Sequence, residues 1–140
     1  MKVSIVYWSG TGNTEAMAEA ALEGAKNAGA EVQLLPVAAA DESVLQSDSL
    51  LLGCPAMGSE ELEESEFEPF FSSIEGKLAG KKVGLFGSYD WGDGEWMRTW
   101  QERVVSAGGN MIEDGVIANN APDDDAIAAC KALGEKAAKE

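Results

Sequence analysis

The 140-residue chain contains no histidine. That removes serine triads and the commonest transition-metal ligand from consideration. Cysteine is scarce: Cys54 and Cys130 stand alone, with no Cys-x-x-Cys pair, which argues against a zinc site or an iron–sulfur cluster. Positive charge is scarce too, with 10 Lys plus Arg against 25 Asp plus Glu and a net charge of −15. Nucleic acid and anionic membrane surfaces are therefore poor partners, because phosphate binding needs basic clusters. No apolar run approaches the length of a membrane span, and Met1 to Val6 enters a strand without the features of a signal peptide. The expectation is a reduced, cytoplasmic protein.

What is present fits one folded domain, residues 1–140. A chain of this length buries roughly 68% of its unfolded surface, enough for a core without staples. The acidity favours basic protein partners met by electrostatic steering, or it serves solubility alone.

Apolar runs alternate with helical patterns. Residues 3–8, 31–37, 49–54, 82–88 and 111–118 read as strands, the last weakened by Gly115. Between them, Met17, Ala21 and Ala25 recur at helical spacing before Gly29. Residues 41–46 read as a short helix, and Pro69 suits the first turn of another carrying Phe67, Phe70 or Phe71, Ile74 and Leu78. Trp96, Trp100 and Val104 share one helix face, and Asp123 to Asp125 favour the start of a last helix carrying Ile127, Cys130 and Leu133. Strictly alternating strands and helices predict an α/β fold, a parallel sheet covered on both faces.

Residues 9–14, Ser9-Gly10-Thr11-Gly12-Asn13-Thr14, join the first strand to the first helix. Glycines let backbone N–H groups converge on one point, the helix N-terminus adds partial positive charge, and Ser9, Thr11, Asn13 and Thr14 add neutral donors. There is no Gly-Lys-Ser/Thr ending, and position 15 is Glu where a dinucleotide fingerprint has its third glycine. The loop suits one terminal phosphate. The plainer reading is a polar turn capping a helix.

Residues 7–14 resemble the phosphate-loop signature of flavodoxins. Residues 52–60 (LGCPAMGSE) and 85–94 (LFGSYDWGDG) are similar to segments of the short-chain flavodoxins of anaerobic bacteria. The resemblance spans essentially the whole chain. It implies a doubly wound, five-stranded parallel sheet of order 2-1-3-4-5 with FMN at the switch point between strands 1 and 3. Flavodoxin itself illustrates that rule, so the placement follows from the resemblance. It also implies a low-potential one-electron carrier working between the hydroquinone and semiquinone of non-covalently bound FMN, not an enzyme.

The resemblance assigns the phosphate to Ser9, Gly10, Thr11, Gly12, Asn13 and Thr14. The second loop contributes Ala56, Met57, Gly58, Ser59 and Glu60, and the third Ser88, Tyr89, Asp90 and Trp91. Trp91 is expected over the outer flavin face and Met57 on the inner one, with Trp8 bordering the site. The plainer readings are a surface tryptophan and a core-filling methionine. Glu60 accepts from flavin N3–H, or is a solvated charge. The N–H groups of Tyr89 and Asp90 face the pyrimidine oxygens. The close relatives usually carry glycine where this chain has Asp90.

The acidic residues of these loops, Glu60, Glu61, Glu63, Glu64, Asp90 and Asp93, disfavour an anionic hydroquinone. A unit charge about 8 Å away at an effective dielectric of 20 contributes roughly 2 kcal/mol before screening. Expected partners are redox proteins with basic docking patches: reductases, hydrogenase, ferredoxin-linked oxidoreductases. A monomer is expected. Two other functions compete. A flavodoxin-like quinone or NAD(P)H reductase needs more sequence than is present for a nicotinamide pocket. A phosphoacceptor module needs an aspartate where strand 3 ends in Gly53 and Cys54.

In the family the peptide after the methionine turns over when the flavin takes up an electron and a proton, which makes Gly58 the residue that tunes the first step. One net hydrogen bond of about 1 kcal/mol corresponds to roughly 40 mV in a one-electron couple. Gly58→Thr is predicted to bind FMN but accumulate less semiquinone during dithionite titration. An unchanged yield overturns the assignment.

Overall fold

The computed structural model describes residues 1–58 and 60–139. Among the described residues six strands and four α-helices follow in the order β1 (Lys2–Tyr7), α1 (Asn13–Asn27), β2 (Glu31–Pro36), β3 (Ser49–Gly53), α2 (Phe67–Glu75), β4 (Lys82–Tyr89), α3 (Glu95–Ser106), β5 (Asn110–Met111), β6 (Val116–Asn119) and α4 (Asp124–Ala137). All strands run parallel in the order β2-β1-β3-β4-β5, and β6 also pairs with β4. The connection from β2 to β3 holds two 3-10 turns, Val37–Ala39 and Glu42–Gln46, where residues 41–46 were expected as a short helix. The Asp41 side chain starts the second turn by accepting from Ser43 N–H at 2.9 Å.

β3 shows why the sheet is covered twice. Its residues alternate between faces. Leu50 and Leu52 pack with Val6, Phe67, Phe71, Ile74, Trp96 and Trp100 under α2 and α3. Leu51 packs with Val3, Ile5, Met17, Phe86, Cys130 and Leu133 under α1 and α4. The stripe Trp96, Trp100, Val104 is buried to within 2% of full cover, as its spacing requires. Ile127 is only half-buried, whereas Cys130 and Leu133 are inside. Gly29, with φ 92°, ends α1, and Ala30 N–H returns to Ala25 O at 3.1 Å.

The last strand departs from the expected continuous run of 111–118. It is split into β5 and β6 around residues 112–115. Gly115 lies so close to α3 that a Cβ would stand 2.4 Å from Met97 Sδ, and its N–H donates to the Gln101 side-chain oxygen. Contact with α3 therefore draws the chain off the ladder, and the sheet edge holds two short strands in place of one.

α2 and α3 are tied by Arg103. Its guanidinium bonds Glu68 at 2.7 and 2.8 Å and Glu75 at 3.0 Å, and lies 4.7 Å over the Phe71 ring. Bidentate pairs of this kind are geometrically specific. α1 and α4 meet differently, backbone against backbone. A Cβ on Gly24 would stand 2.0 Å from Lys131 O, and one on Gly134 would stand 2.0 Å from Ala21 O.

Those two contacts decide a sign. Gly→Ala inside a helix ordinarily gains up to about 1 kcal/mol of propensity. At Gly134 the forced separation of two helices costs about 1–3 kcal/mol or more. Gly134→Ala is predicted to lower the urea midpoint, and a midpoint at or above that of the parent chain contradicts the close-packed pair.

Candidate functional site

The sheet's carboxyl edge is where the unusual loops gather, and the backbone ladder continues past the strand ends to hold them. Trp8 N–H donates to Gly53 O (3.0 Å), Cys54 N–H to Phe86 O (3.1 Å) and Ala56 N–H to Ser88 O (3.0 Å). The Trp96 indole N–H donates to Cys54 O at 3.1 Å, so α3 also pins the end of β3. A groove of about 250 Å³ opens between these loops. Its walls include Trp8, Gly10, Thr11 and Asn13 from the first loop, Pro55, Ala56 and Met57 from the second, and Ser88, Tyr89 and Asp90 from the third.

The first loop caps α1 with Gly12, at φ 93° and with no heavy atom of the described residues within 4 Å of a Cβ position. Its N–H donates to Ser9 Oγ at 3.0 Å, which shapes the turn. Thr14 is buried, and its hydroxyl pairs with Ser88 Oγ at 3.3 Å, joining the first loop to β4. Ser9, Gly12 and Thr14 therefore build the loop from behind, and Gly10, Thr11 and Asn13 form its groove face. Among the described residues no cationic side chain lines the groove.

The second loop begins as a closed hairpin. Met57 and Glu61 exchange backbone hydrogen bonds of 2.8 and 2.9 Å. Gly58 turns at φ 48° and Glu60 at φ 57°. Ser59, also assigned from the sequence, lies outside the described residues. Met57 is 37% exposed, so it is no core filler.

The loop then re-enters the protein through Glu63. This carboxylate is buried and accepts from Ser65, Glu66 and Phe67 N–H at 2.8, 2.7 and 2.9 Å, capping α2. Burial pushes its pKa up, but the three amide donors outweigh that and hold it below the ordinary glutamate value. Cys54 anchors the same segment: its Sγ accepts from Glu63 N–H at 3.3 Å. Burial pushes the Cys54 thiol up to about 12, which fits a packed thiol without nucleophilic character.

In the third loop Trp91 is 59% exposed and stands outside the groove lining, one residue beyond Asp90. Glu60, expected to face a ligand, is bonded to the Glu95 N–H at 3.2 Å. Asp93 pairs with Arg98 at 2.9 Å, so one of the six acidic groups in these loops has its counter-charge.

One groove residue, Asn120, escaped the sequence reading. It follows β6 at φ 58°, its N–H donates to Tyr89 O at 2.7 Å, and Asn119 Nδ2 reaches the same oxygen at 3.3 Å. The run Asn119-Asn120-Ala121-Pro122 carries the available signal, because asparagine tolerates the left-handed region and favours turns.

A doubly wound sheet with its groove at the switch point, beside a helix N-terminus dressed with neutral donors, defines a flavodoxin-like nucleotide-binding protein. The flavodoxin family model matches residues 5–133. The chain is 53% identical to the flavodoxin of Megasphaera elsdenii over 138 residues, covering 98% of both chains. It is 50% identical to that of Clostridium beijerinckii over 137 residues, covering 97% of this chain and 99% of the other. The solution structure of the two-electron reduced Megasphaera elsdenii flavodoxin superposes with a TM-score of 0.90 over 99% of each chain. The chain belongs to the flavodoxin family.

Glu63 supplies a pH test of the loop. Its folded pKa lies below 4.5, so its bonds contribute stability above pH 4.5 and lose it as pH falls through the folded value. Glu63→Gln is predicted to cost about 1 kcal/mol at neutral pH, the scale of a helix cap. The gap should narrow below pH 4.5. A gap that stays constant from neutral to strongly acid solution contradicts the assignment.

Proposed function

We propose that the three loops hold FMN in the groove, with its phosphate on the first loop and its ring between the second and third. As a member of the flavodoxin family the chain is an FMN-binding electron carrier, not an enzyme. Bound FMN supplies reversible transfer of single electrons, and the side chains tune it.

The residues fit that group. Backbone amides at the start of α1, with Thr11 and Asn13, offer a phosphate neutral donors and the helix dipole, worth roughly half a positive charge. Ser9, Gly10, Gly12 and Thr14 set the loop's shape. Ala56 and Met57 give one soft wall, and Tyr89 and Asp90 the other, with Ser88 between them and the first loop. Exposed Trp91 and Met57 offer apolar surface to a flat ring. Gly58 has no described heavy atom within 4 Å of a Cβ position, and a glycine there tolerates either sign of φ. Glu60 offers a carboxylate to a ring N–H.

The exposed acidic residues Glu61, Glu64 and Asp90 disfavour added negative charge and so favour a low potential. Flavodoxins act with redox partners. We infer partners with basic patches, such as reductases, hydrogenase or ferredoxin-linked oxidoreductases, met by a monomer of one domain in the cytoplasm. Among the described residues no helix is long and apolar enough to cross a membrane.

The observation that carries the reading is the convergence of three loops on one groove at the start of α1, with no cationic side chain among the described residues that line it. The test is FMN uptake followed by an absorption spectrum during stepwise dithionite reduction. One equivalent of FMN and two separable one-electron waves are predicted. No uptake from excess FMN overturns the reading, and sustained NAD(P)H–quinone turnover by the pure protein replaces it with a reductase.

A further inference from the structure

Glu60 is one of two non-glycine residues among those described that hold a left-handed backbone. Such a conformation persists only where its surroundings enforce it. The side chain shows what does so. Oε1 accepts from the Glu95 N–H at 3.2 Å, where α3 begins. The carboxylate also covers Gly92: a Cβ there would stand 2.5 Å from Oε1 and 2.6 Å from Cδ. Gly92 and Glu95 belong to the segment that follows β4, whereas Glu60 sits in the hairpin that follows β3. A side chain of one loop is thus seated in a notch of the other, and the notch exists because Gly92 has no side chain.

We propose that Glu60 is a clasp that joins the Met57–Glu61 hairpin to the loop carrying Trp91, so that the two segments move as one body. It is a positioning residue. Among the described residues two backbone bonds close the hairpin, and the left-handed Glu60 strains it. Its root is fixed to β4 by the Ala56–Ser88 bond, and the Glu60 carboxylate ties its far end to the third loop. A carboxylate has about four acceptor positions, so the Glu95 bond leaves capacity for a donor on a bound ring. The clasp fixes where that capacity is offered, and it carries a turn at Gly58 to Trp91. That last consequence rests on the FMN reading; the contact itself lies within the chain.

The test is amide hydrogen exchange by NMR on the FMN-loaded full chain, with Glu60→Ala, Glu60→Gln and Gly92→Ala. Loss of a hydrogen bond to a charged group raises exchange about tenfold or more. Glu60→Ala and Gly92→Ala are each predicted to do so at Glu95, with Met57 and Glu61 amides following and the Trp91 indole resonance shifting. Glu60→Gln keeps an acceptor oxygen and should retain protection and the indole position. In the Glu60→Ala background, Gly92→Ala should add little at Met57 and Glu61.

Unchanged Glu95 exchange in Glu60→Ala overturns the clasp. So does loss at Glu95 with the hairpin and Trp91 unaffected. An equally large Gly92→Ala effect in the Glu60→Ala background assigns the change to backbone strain at φ 87° and also overturns it. A parent chain that takes up no FMN overturns the functional reading instead, and the same exchange measurement on that chain still decides the clasp.

Discussion

The site depends on a parallel ladder that runs beyond the strands. β1, β3 and β4 end at Tyr7, Gly53 and Tyr89. The bonds from Trp8 to Gly53, from Cys54 to Phe86 and from Ala56 to Ser88 carry the register on into the loops. Loops in isolation are entropically costly to order, roughly 1–2 kcal/mol per residue for the backbone alone. Here part of that cost is met by bonds of the sheet itself, and the loops inherit its spacing. Neighbouring strands stand about 4.8 Å apart, so three loops rooted on adjacent strands must face one another across a narrow groove.

Charge is organised within that frame. A chain of net charge −15 offers an anionic phosphate little long-range attraction. What the first loop carries is short-range dipoles: amide groups at a helix start, a left-handed Gly12 and neutral side chains. The acidic residues of the other loops are not equivalent. Glu63 is buried as the cap of α2, Asp93 is paired with Arg98, and Glu60 is bonded to α3. Of the six, only Asp93 has a counter-charge among the described residues; amide donors fix where the Glu63 and Glu60 carboxylates sit without cancelling their charge, and Glu61, Glu64 and Asp90 are exposed.

The fold was legible because its signals are local. The apolar runs of β1, β3 and β4, the four-residue spacing of Trp96, Trp100 and Val104, and the glycine after α1 need no tertiary context. The turn at residues 9–14 between β1 and α1 was legible for the same reason. What escaped depends on contacts between distant segments. The break between β5 and β6 is imposed by Met97 and Gln101 of α3, which no pattern within 111–118 can reveal. Asn120 joins the groove because β6 returns beside β4, 31 positions after Tyr89. Glu60 was read as a ligand contact, and its bond to Glu95 spans 35 positions.

The second loop is held unlike the first. The Glu60 backbone lies in a region that costs on the order of 1–3 kcal/mol for a residue with a side chain. Against it stand two backbone bonds, each worth about 1 kcal/mol net, and the Glu60 carboxylate bond, worth about 1.5–3. Among the described residues these bonds sum to about 3.5–5 kcal/mol and outweigh the strain, so the left-handed turn is imposed by its contacts. The first loop has no such opposition, because its left-handed position is a glycine. The shape of the first loop therefore follows from its residue types, whereas that of the second depends on individual hydrogen bonds made to Met57, Glu61 and Glu95.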